Sequence, residues 1–186
     1  MPLQVTKRHF NIDEYYRMAE AGILSEDDRI ELIEGEIIKM APIGSRHAGC
    51  VSHLNTLFNR QVGETALVNV QNPVRLSDFS EPQPDIALLK PRDDFYSNSH
   101  PTPADVLLII EVSDTSLEYD RDIKLPLYAA SSIPEVWLVN LIKDIVEIYR
   151  EPRDGMYREV RYATRGESVS SKYNPNLAIS VDSILG

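Results

Sequence analysis

The sequence predicts an α/β (α+β) protein built around a mixed β-sheet, and three observations lead to this prediction. Segments with helical spacing of apolar residues alternate along the chain with short apolar runs that are typical of strands. One of these runs, Val106-Leu107-Leu108-Ile109-Ile110, is uninterrupted, which indicates a central strand covered on both faces. The chain has 186 residues, of which 42% are hydrophobic, and this is enough for one buried core.

The N-terminal part, residues 1–44, is predicted to form a helix and a β-hairpin. Asn11 followed three residues later by Glu14 is the pattern of a capping box, and Gly22 is the expected end of the helix. Residues 29–34 and 36–40 are predicted as two strands that turn at Glu34 and Gly35.

Residues 45–140 are predicted to form the core of the sheet. A helix at 45–62 has its apolar residues at helical spacing, and a polar loop is expected at 92–103. The predicted strands are 67–70, 74–76, 85–89, 105–112 and 135–140. Residues 116–119 are expected to be a connector. The next helix should reach residue 131, with Asp120 or Asp122 as its cap, and Pro126 indicates either a start near Asp122 or a kink.

The C-terminal part, residues 141–186, is predicted to add strands at 145–149 and 157–162, an edge strand at 177–181 and a terminal turn at 182–185. Trp137 and Tyr149 are expected in the core. Because no linker separates these parts, residues 1–186 are interpreted as a single domain.

Composition bounds the setting and the partners. The net charge of −10 argues against tight, non-specific binding of nucleic acid, since proteins that grip phosphates are usually basic on one face. No apolar run approaches the ~20 residues that span a bilayer, and the first eight residues lack the apolar core of a signal peptide. The single cysteine, Cys50, indicates a reducing, cytoplasmic setting and is expected to be a small buried residue.

Two carboxylates at the ends of apolar runs suggest a site. Asp85 opens one run and Glu111 lies near the close of another, where a carboxylate is not expected unless something pairs with it. Neighbouring carboxylates repel each other unless a cation lies between them, and oxygen ligands suit Mg²⁺ or Mn²⁺. Lys124 could then orient water or neutralise charge on a phosphoryl group, which completes a set for metal-assisted phosphodiester hydrolysis. The competing interpretation is a pair of strand-end carboxylates that are solvated or paired with Arg121, with Lys124 on the surface.

Several further motifs accompany these residues along the chain. They are Glu31-Leu32-Ile33-Glu34-Gly35-Glu36-Ile37 with Met40 and Pro42, Ser45-Arg46-His47, Gln83-Pro84-Asp85-Ile86, Ile110-Glu111-Val112-Ser113, Tyr119-Asp120-Arg121-Asp122-Ile123-Lys124-Leu125 with Tyr128-Ala129, and Ile133-Pro134-Glu135-Val136-Trp137-Leu138-Val139. With them, nearly the whole chain resembles the Uma-type restriction-endonuclease family of the PD-(D/E)xK nuclease superfamily. The resemblance implies a restriction-endonuclease-like sheet with the core order helix, three strands, helix and strand.

The resemblance also implies roles for individual residues. Asp85 and Glu111 would bind Mg²⁺ or Mn²⁺, and Lys124 would act on the nucleophile or the transition state. The superfamily usually places this lysine two residues after the glutamate, where this chain has Ser113, so Lys124 would reach the site from the following helix.

His47 and Glu34 would assist, although His47 could equally hydrogen-bond a loop carbonyl. The resemblance implies that Glu31 or Glu34 joins the metal shell, and Glu34, beside the Gly35 turn, is the expected one. Tyr128 is expected to pack on the stem of Lys124, and Asp120 and Asp122 to be caps.

The implied function is metal-dependent endonuclease cleavage of DNA, by an enzyme that acts as a homodimer and has no membrane partner. The main alternative is a protein that keeps the nuclease fold without the activity and works as a binding or regulatory module with an acidic surface, which the net charge favours. A second alternative is a metal-free hydrolase that uses the carboxylates as general acid and base.

Overall fold

The structure is a computed structural model that describes residues 6–25, 27–176 and 178–186. Its first helix, α1, spans Ile12–Glu20. The Asn11 side chain accepts a hydrogen bond from the Glu14 N–H at 2.9 Å, and the Glu14 carboxylate accepts one from the Asn11 N–H at 3.2 Å. The predicted capping box is therefore confirmed, since both unpaired donors of the first turn are satisfied by side chains.

The predicted hairpin is also confirmed. Strand β1, Ile30–Ile33, pairs in antiparallel fashion with β2, Glu36–Lys39. Gly35 occupies the turn with φ of +80°, a conformation that other residues rarely adopt. A side-chain carbon at this glycine would also lie 2.5 Å from the Cβ of His9, so the turn has room for glycine alone.

A six-stranded mixed sheet forms the centre of the protein, as predicted. Helix α2, Ser45–Val62, precedes it. Its strands are β3 Leu67–Val70, β4 Ile86–Leu89, β5 Val106–Ser113, β6 Glu135–Asn140, β7 Ile145–Arg153 and β8 Met156–Thr164. They lie in the order of the chain, and β5 and β6 are parallel while the other neighbours are antiparallel.

The two faces of the sheet pack against different helices. Ile86, Leu88, Ile110 and Trp137 belong to the core cluster that contains the buried residues of α2. The alternating residues of the same strands belong to a second cluster, which contains Leu125 and Tyr128. Both expected core aromatic residues, Trp137 and Tyr149, are buried.

The connection from β5 to β6 is helical from Leu117 to Ala130, which corrects the prediction of a connector at residues 116–119. It consists of α3, Leu117–Tyr119, a π-helical turn, Asp120–Lys124, and α4, Leu125–Ala130. The Leu125 N–H donates to the carbonyl of Asp120, five residues earlier. Pro126 lies in the first turn of α4, and the wider π turn before it accommodates a residue that has no N–H and would clash in a regular helix.

Two other predictions need correction. Residues 74–76 form no strand, because the N–H groups of Val74 and Leu76 bond the carbonyls of Pro82 and Ser80 within a loop. Strand β9, Ser168–Ser170, pairs with β10, Ala178–Ser180. The edge strand expected at 177–181 is therefore β10, and it pairs with β9 instead of with the main sheet. Leu177 lies outside the described residues. The terminal turn is a short helix, α5, Val181–Leu185.

No helix in the described ranges combines the length and the apolarity that crossing a bilayer requires.

Candidate active site

The pairing of β4 with β5 brings two carboxylates together. Ile86 pairs with Ile110 in this antiparallel ladder, so the residue before one, Asp85, lies beside the residue after the other, Glu111. The Asp85 N–H donates to Glu111 Oε2 at 3.3 Å, and the Val112 N–H donates to Asp85 Oδ2 at 2.9 Å. Asp85 is 8% exposed and Glu111 is 3% exposed.

His47 reaches Asp85 from the first turn of α2. Its Nε2 lies 2.9 Å from Asp85 Oδ1, and Gln71 Nε2 donates to the same oxygen at 3.0 Å. Burial acts to raise the pKa of Asp85, but the hydrogen bonds and the positive charge of His47 outweigh it and lower this pKa. The same hydrogen bond raises the pKa of His47. The pair therefore favours a charged carboxylate next to a histidine that holds its proton more tightly.

Lys124 is the last residue of the π turn, and its ammonium lies between two carboxylates. Lys124 Nζ is 3.3 Å from Glu111 Oε1 and 3.2 Å from Glu31 Oε2, and the residue is 5% exposed. Burial alone would lower its pKa, but the charges of Glu111 and Glu31 raise it above its usual value. Lys124 consequently stays protonated and cannot serve as a base near neutral pH.

Glu111 lies near more negative charge than its positive neighbour neutralises. Burial raises its pKa to about 8, and the charges of Asp120 and Asp85 act in the same direction, against the attraction of Lys124. The hydroxyl of Tyr128 donates to Glu111 Oε1 at 2.6 Å. Tyr128 was expected to pack on the lysine stem, and the structure adds this hydrogen bond to the carboxylate.

Glu31 enters the site and Glu34 does not, so the preference for Glu34 was wrong. Glu31 is fully buried on β1 and accepts hydrogen bonds from Tyr119 Oη at 3.2 Å and from the Gln83 N–H at 3.1 Å. Glu34 is exposed at the turn with φ of +49° and lines a separate open groove with His9. A carboxylate inside the apolar run Ile30–Ile33 was the sequence signal that favoured Glu31.

Asp120 also belongs to the site, although it was expected only as a cap. Its Oδ2 accepts hydrogen bonds from Ser113 Oγ at 2.7 Å and Ser116 Oγ at 2.6 Å. Ser113 thus binds a carboxylate at the position where the superfamily places its lysine. Arg121, the alternative partner considered for Asp85 and Glu111, instead forms an ion pair with buried Glu147 at 2.6 Å.

One cavity of about 390 Å³ is lined by Glu31, His47, Asp85, Glu111, Asp120 and Lys124. Among its described lining residues, four buried carboxyl groups face one buried ammonium: Glu31, Asp85, Glu111 and Asp120 against Lys124. Such an excess of negative charge in a buried wall is compensated by protons or by an added cation.

The donor set fits a hard divalent ion held by few protein ligands. In the described part of the chain, no three His, Cys, Asp or Glu side chains are grouped as a ready-made metal site. Lys124 separates Glu31 from Glu111, which leaves Asp85 and Glu111 as an adjacent pair. Mg²⁺ commonly binds through one or two carboxylates, with water and substrate phosphate completing its six ligands.

Comparison with known proteins finds a matching family and a solved structure with a similar fold. The sequence model of the family described as "Uma2: Putative restriction endonuclease" matches residues 12–182. No curated protein matches the chain. Among solved structures, the chain is similar to a protein from Anabaena variabilis ATCC 29413 described as "a putative nuclease belonging to DUF820". The two are 17% identical, the match covers 95% of this chain and 97% of that one, and the TM-score is 0.71, which shows a shared fold.

Proposed function

The chain belongs to the Uma2 family of restriction-endonuclease-like proteins, and from this premise we propose that it is a metal-dependent endonuclease that hydrolyses DNA phosphodiester bonds. The observation that carries the proposal is the adjacency of Asp85 and Glu111, with the buried Lys124 ammonium 3.3 Å from Glu111. Paired carboxylates with a cation are what phosphodiester hydrolysis needs, because charge accumulates on the phosphoryl oxygens in the transition state.

Asp85 and Glu111 would hold Mg²⁺ or Mn²⁺, which when bound supplies a Lewis acid and lowers the pKa of a coordinated water. The Lys124 ammonium would neutralise charge on the phosphoryl oxygens and hold the substrate diester in place. Since burial between carboxylates keeps it protonated, its role is electrostatic and not that of a base.

The remaining residues of the site would position these three. His47 orients Asp85 through the contact at 2.9 Å, and Tyr128 fixes one oxygen of Glu111. Within the described part of the chain, the other oxygen, Oε2, accepts only the long bond from the Asp85 N–H. Glu31 holds the ammonium on the side away from Glu111. Fixed carboxylates and a fixed cation reduce the reorganisation that the transition state would otherwise require.

Substitutions in the carboxylate pair test the proposal. Purified wild type, Asp85→Asn and Glu111→Gln are incubated with a labelled oligonucleotide mixture and Mg²⁺ or Mn²⁺, with a chelator as blank. Loss of a ligand should reduce the cleavage rate at least ~100-fold, which is the scale of removing one transition-state stabilising group. Glu118→Gln, an exposed change on α3, is the matched control and should cleave as the wild type does. Metal-dependent cleavage that survives both substitutions would refute the assignment.

The alternative is a fold-retaining module without activity, and one observation favours it. The oxygens of Asp85 and Glu111 already accept hydrogen bonds from His47, Gln71, Val112, Lys124 and Tyr128, which can satisfy a site that binds no metal. Calorimetric titration separates the two. Mn²⁺ binding that is lost in Asp85→Asn supports the enzyme, whereas absence of both metal binding and cleavage supports the module.

We further propose that the protein is a homodimer that pairs through β8, a nine-residue strand at the edge of the main sheet. This strand exposes Met156, Val160 and Tyr162. An antiparallel pairing of two copies centred on Val160 would set Glu159 of one protomer opposite Arg161 of its partner, twice across the two-fold axis. Light scattering should show a dimer for the wild type and a monomer for Val160→Pro, since proline removes an edge hydrogen bond. A monomeric wild type would contradict this assembly.

A further inference from the structure

The candidate site lines a pocket whose walls come from several segments of the chain. The pocket volume of about 390 Å³ falls near the low end of the ~300–1,000 Å³ typical of small-molecule sites. Asp85 and Glu111, which would hold the metal ion at the scissile phosphate, are almost completely buried. A phosphodiester must therefore enter the pocket to reach them. A DNA strand that is paired along its length would have to bring its complementary strand into the pocket as well.

The pocket has one apolar wall. Ile38 of β2 contributes to it, together with Met40, Pro42 and Ile43 from the connector between β2 and α2. Ile43 is 38% exposed, so this wall presents apolar surface to whatever enters. Nucleotides that leave a base stack are commonly held against apolar or aromatic side chains, because the faces of the base are themselves poorly hydrated.

A second loop lines the pocket together with this apolar wall. It is the loop after β5, with Asp114 and Thr115. A side-chain carbon at Gly44 would lie 4.0 Å from Asp114 Oδ2, so this loop and the connector between β2 and α2 are neighbours at the pocket.

The charges around the pocket suit a short stretch of backbone. Arg29 and Lys39 line the same pocket, and Lys39 is exposed. Two cations match one or two phosphates that flank a bound nucleotide. A long duplex contact needs many more, and the net charge of −10 opposes it.

We propose that the pocket takes a single unpaired nucleotide, so that the substrate is single-stranded DNA or the unpaired end of a duplex. The inference rests on the proposed function, because it names the substrate of that same site. The base and sugar would lie on the wall of Met40 and Ile43, and the flanking phosphates on Arg29 and Lys39. The scissile phosphate would lie beside Lys124, at the metal site of Asp85 and Glu111.

Three labelled DNA substrates of one sequence test the inference with Mg²⁺ or Mn²⁺: a single strand, its blunt duplex, and the duplex with a ten-nucleotide unpaired tail. The single strand and the tail should be cut at least ten times faster than the blunt duplex, with cuts in the tailed substrate confined to the tail. Cutting of the blunt duplex at an equal or higher rate would overturn the inference.

A pair of isoleucine variants tests the wall. Ile43→Ala should raise the KM for the single strand about five- to tenfold, as expected when apolar contact with a bound group is lost. Ile142→Ala, an equally small change at an exposed site outside the pocket, should leave the KM unchanged. If the two variants behave alike, the wall does not contact the substrate.

Two additional readouts separate this inference from the proposed function. Bis(p-nitrophenyl) phosphate is a diester without base pairing: its hydrolysis together with equal cutting of single strand and duplex would uphold the chemistry and overturn the inference. Fluorescence anisotropy in chelator measures binding alone. Preference for the single strand without any hydrolysis would support the pocket assignment and refute the enzyme, while absence of both would refute both.

Discussion

Replacing Lys124 by methionine removes the ammonium that lies between Glu111 and Glu31 and keeps a side chain of similar length. Both carboxylates are buried, and the lysine is 5% exposed, so water cannot take over the neutralisation. Breaking a buried ion pair by removing one partner costs about 3–5 kcal/mol of folding free energy. With a urea m-value of ~2–3 kcal/mol per molar for a chain of this size, the unfolding midpoint should fall by about 1–2.5 M.

Fluorescence of Trp137 reports this unfolding, because it is the single tryptophan of the chain and is fully buried. Lys143→Met, at an exposed lysine, is the matched control and should change stability by less than about 0.5 kcal/mol. Adding Glu31→Gln to Lys124→Met should recover part of the loss, since the carboxylate of Glu31, which the ammonium contacted, is then replaced by a neutral amide. If Lys124→Met unfolds at the same midpoint as Lys143→Met, the ammonium does not neutralise these carboxylates and the electrostatic account of the site fails.

Three further outcomes test other parts of the structure. In chelator, wild-type stability relative to Glu111→Gln should decrease between pH 5 and pH 8: the folded pKa of Glu111, about 8, lies above its ordinary value of 4.5, so its contribution is complete at low pH and is lost as pH rises, by up to ~1.4 kcal/mol per pH unit; a flat difference would contradict this. Native Cys50 should resist maleimide at pH 8 and react fully in urea, because the thiol is buried and its pKa is raised to about 11; rapid native labelling would show an open α2. Gly35→Ala should destabilise more than Gly155→Ala in urea unfolding, since both have positive φ but only the first would meet the Cβ of His9; equal effects would mean that the contact relaxes freely.

Local patterns in the sequence predicted most of the helices and strands correctly. The Asn11–Glu14 capping box, the spacing of apolar residues in α2 and the continuous run in β5 each involve residues within a few positions of one another. Their conformations therefore depend on neighbours that the sequence displays directly. The predicted strand at 74–76 failed because its hydrogen bonds go to a loop, an arrangement that the pattern of side chains does not encode.

Some of the residues that line the pocket were predicted from the sequence, and others were not. Asp85 and Glu111 were found from their positions at the ends of apolar runs, since a carboxylate there needs a partner. The sequence favoured Glu34 over Glu31 for the metal shell and predicted that Asp120 is a helix cap. Both misassignments concern which way a side chain points after a turn or within a helix of altered pitch, and the left-handed conformation of Glu34 and the π turn at Asp120–Lys124 decide this.

The sequence by itself determined the class of fold, the family and the candidate site residues Asp85, Glu111 and Lys124. Only the tertiary structure decided that four buried carboxyl groups line one pocket with a single buried ammonium, and that Glu31 contacts that ammonium from β1. The physical reason is distance along the chain. Residues 31, 85, 111 and 124 meet through strand register and one wide helical turn, and no local pattern specifies how such separate segments are superposed in space.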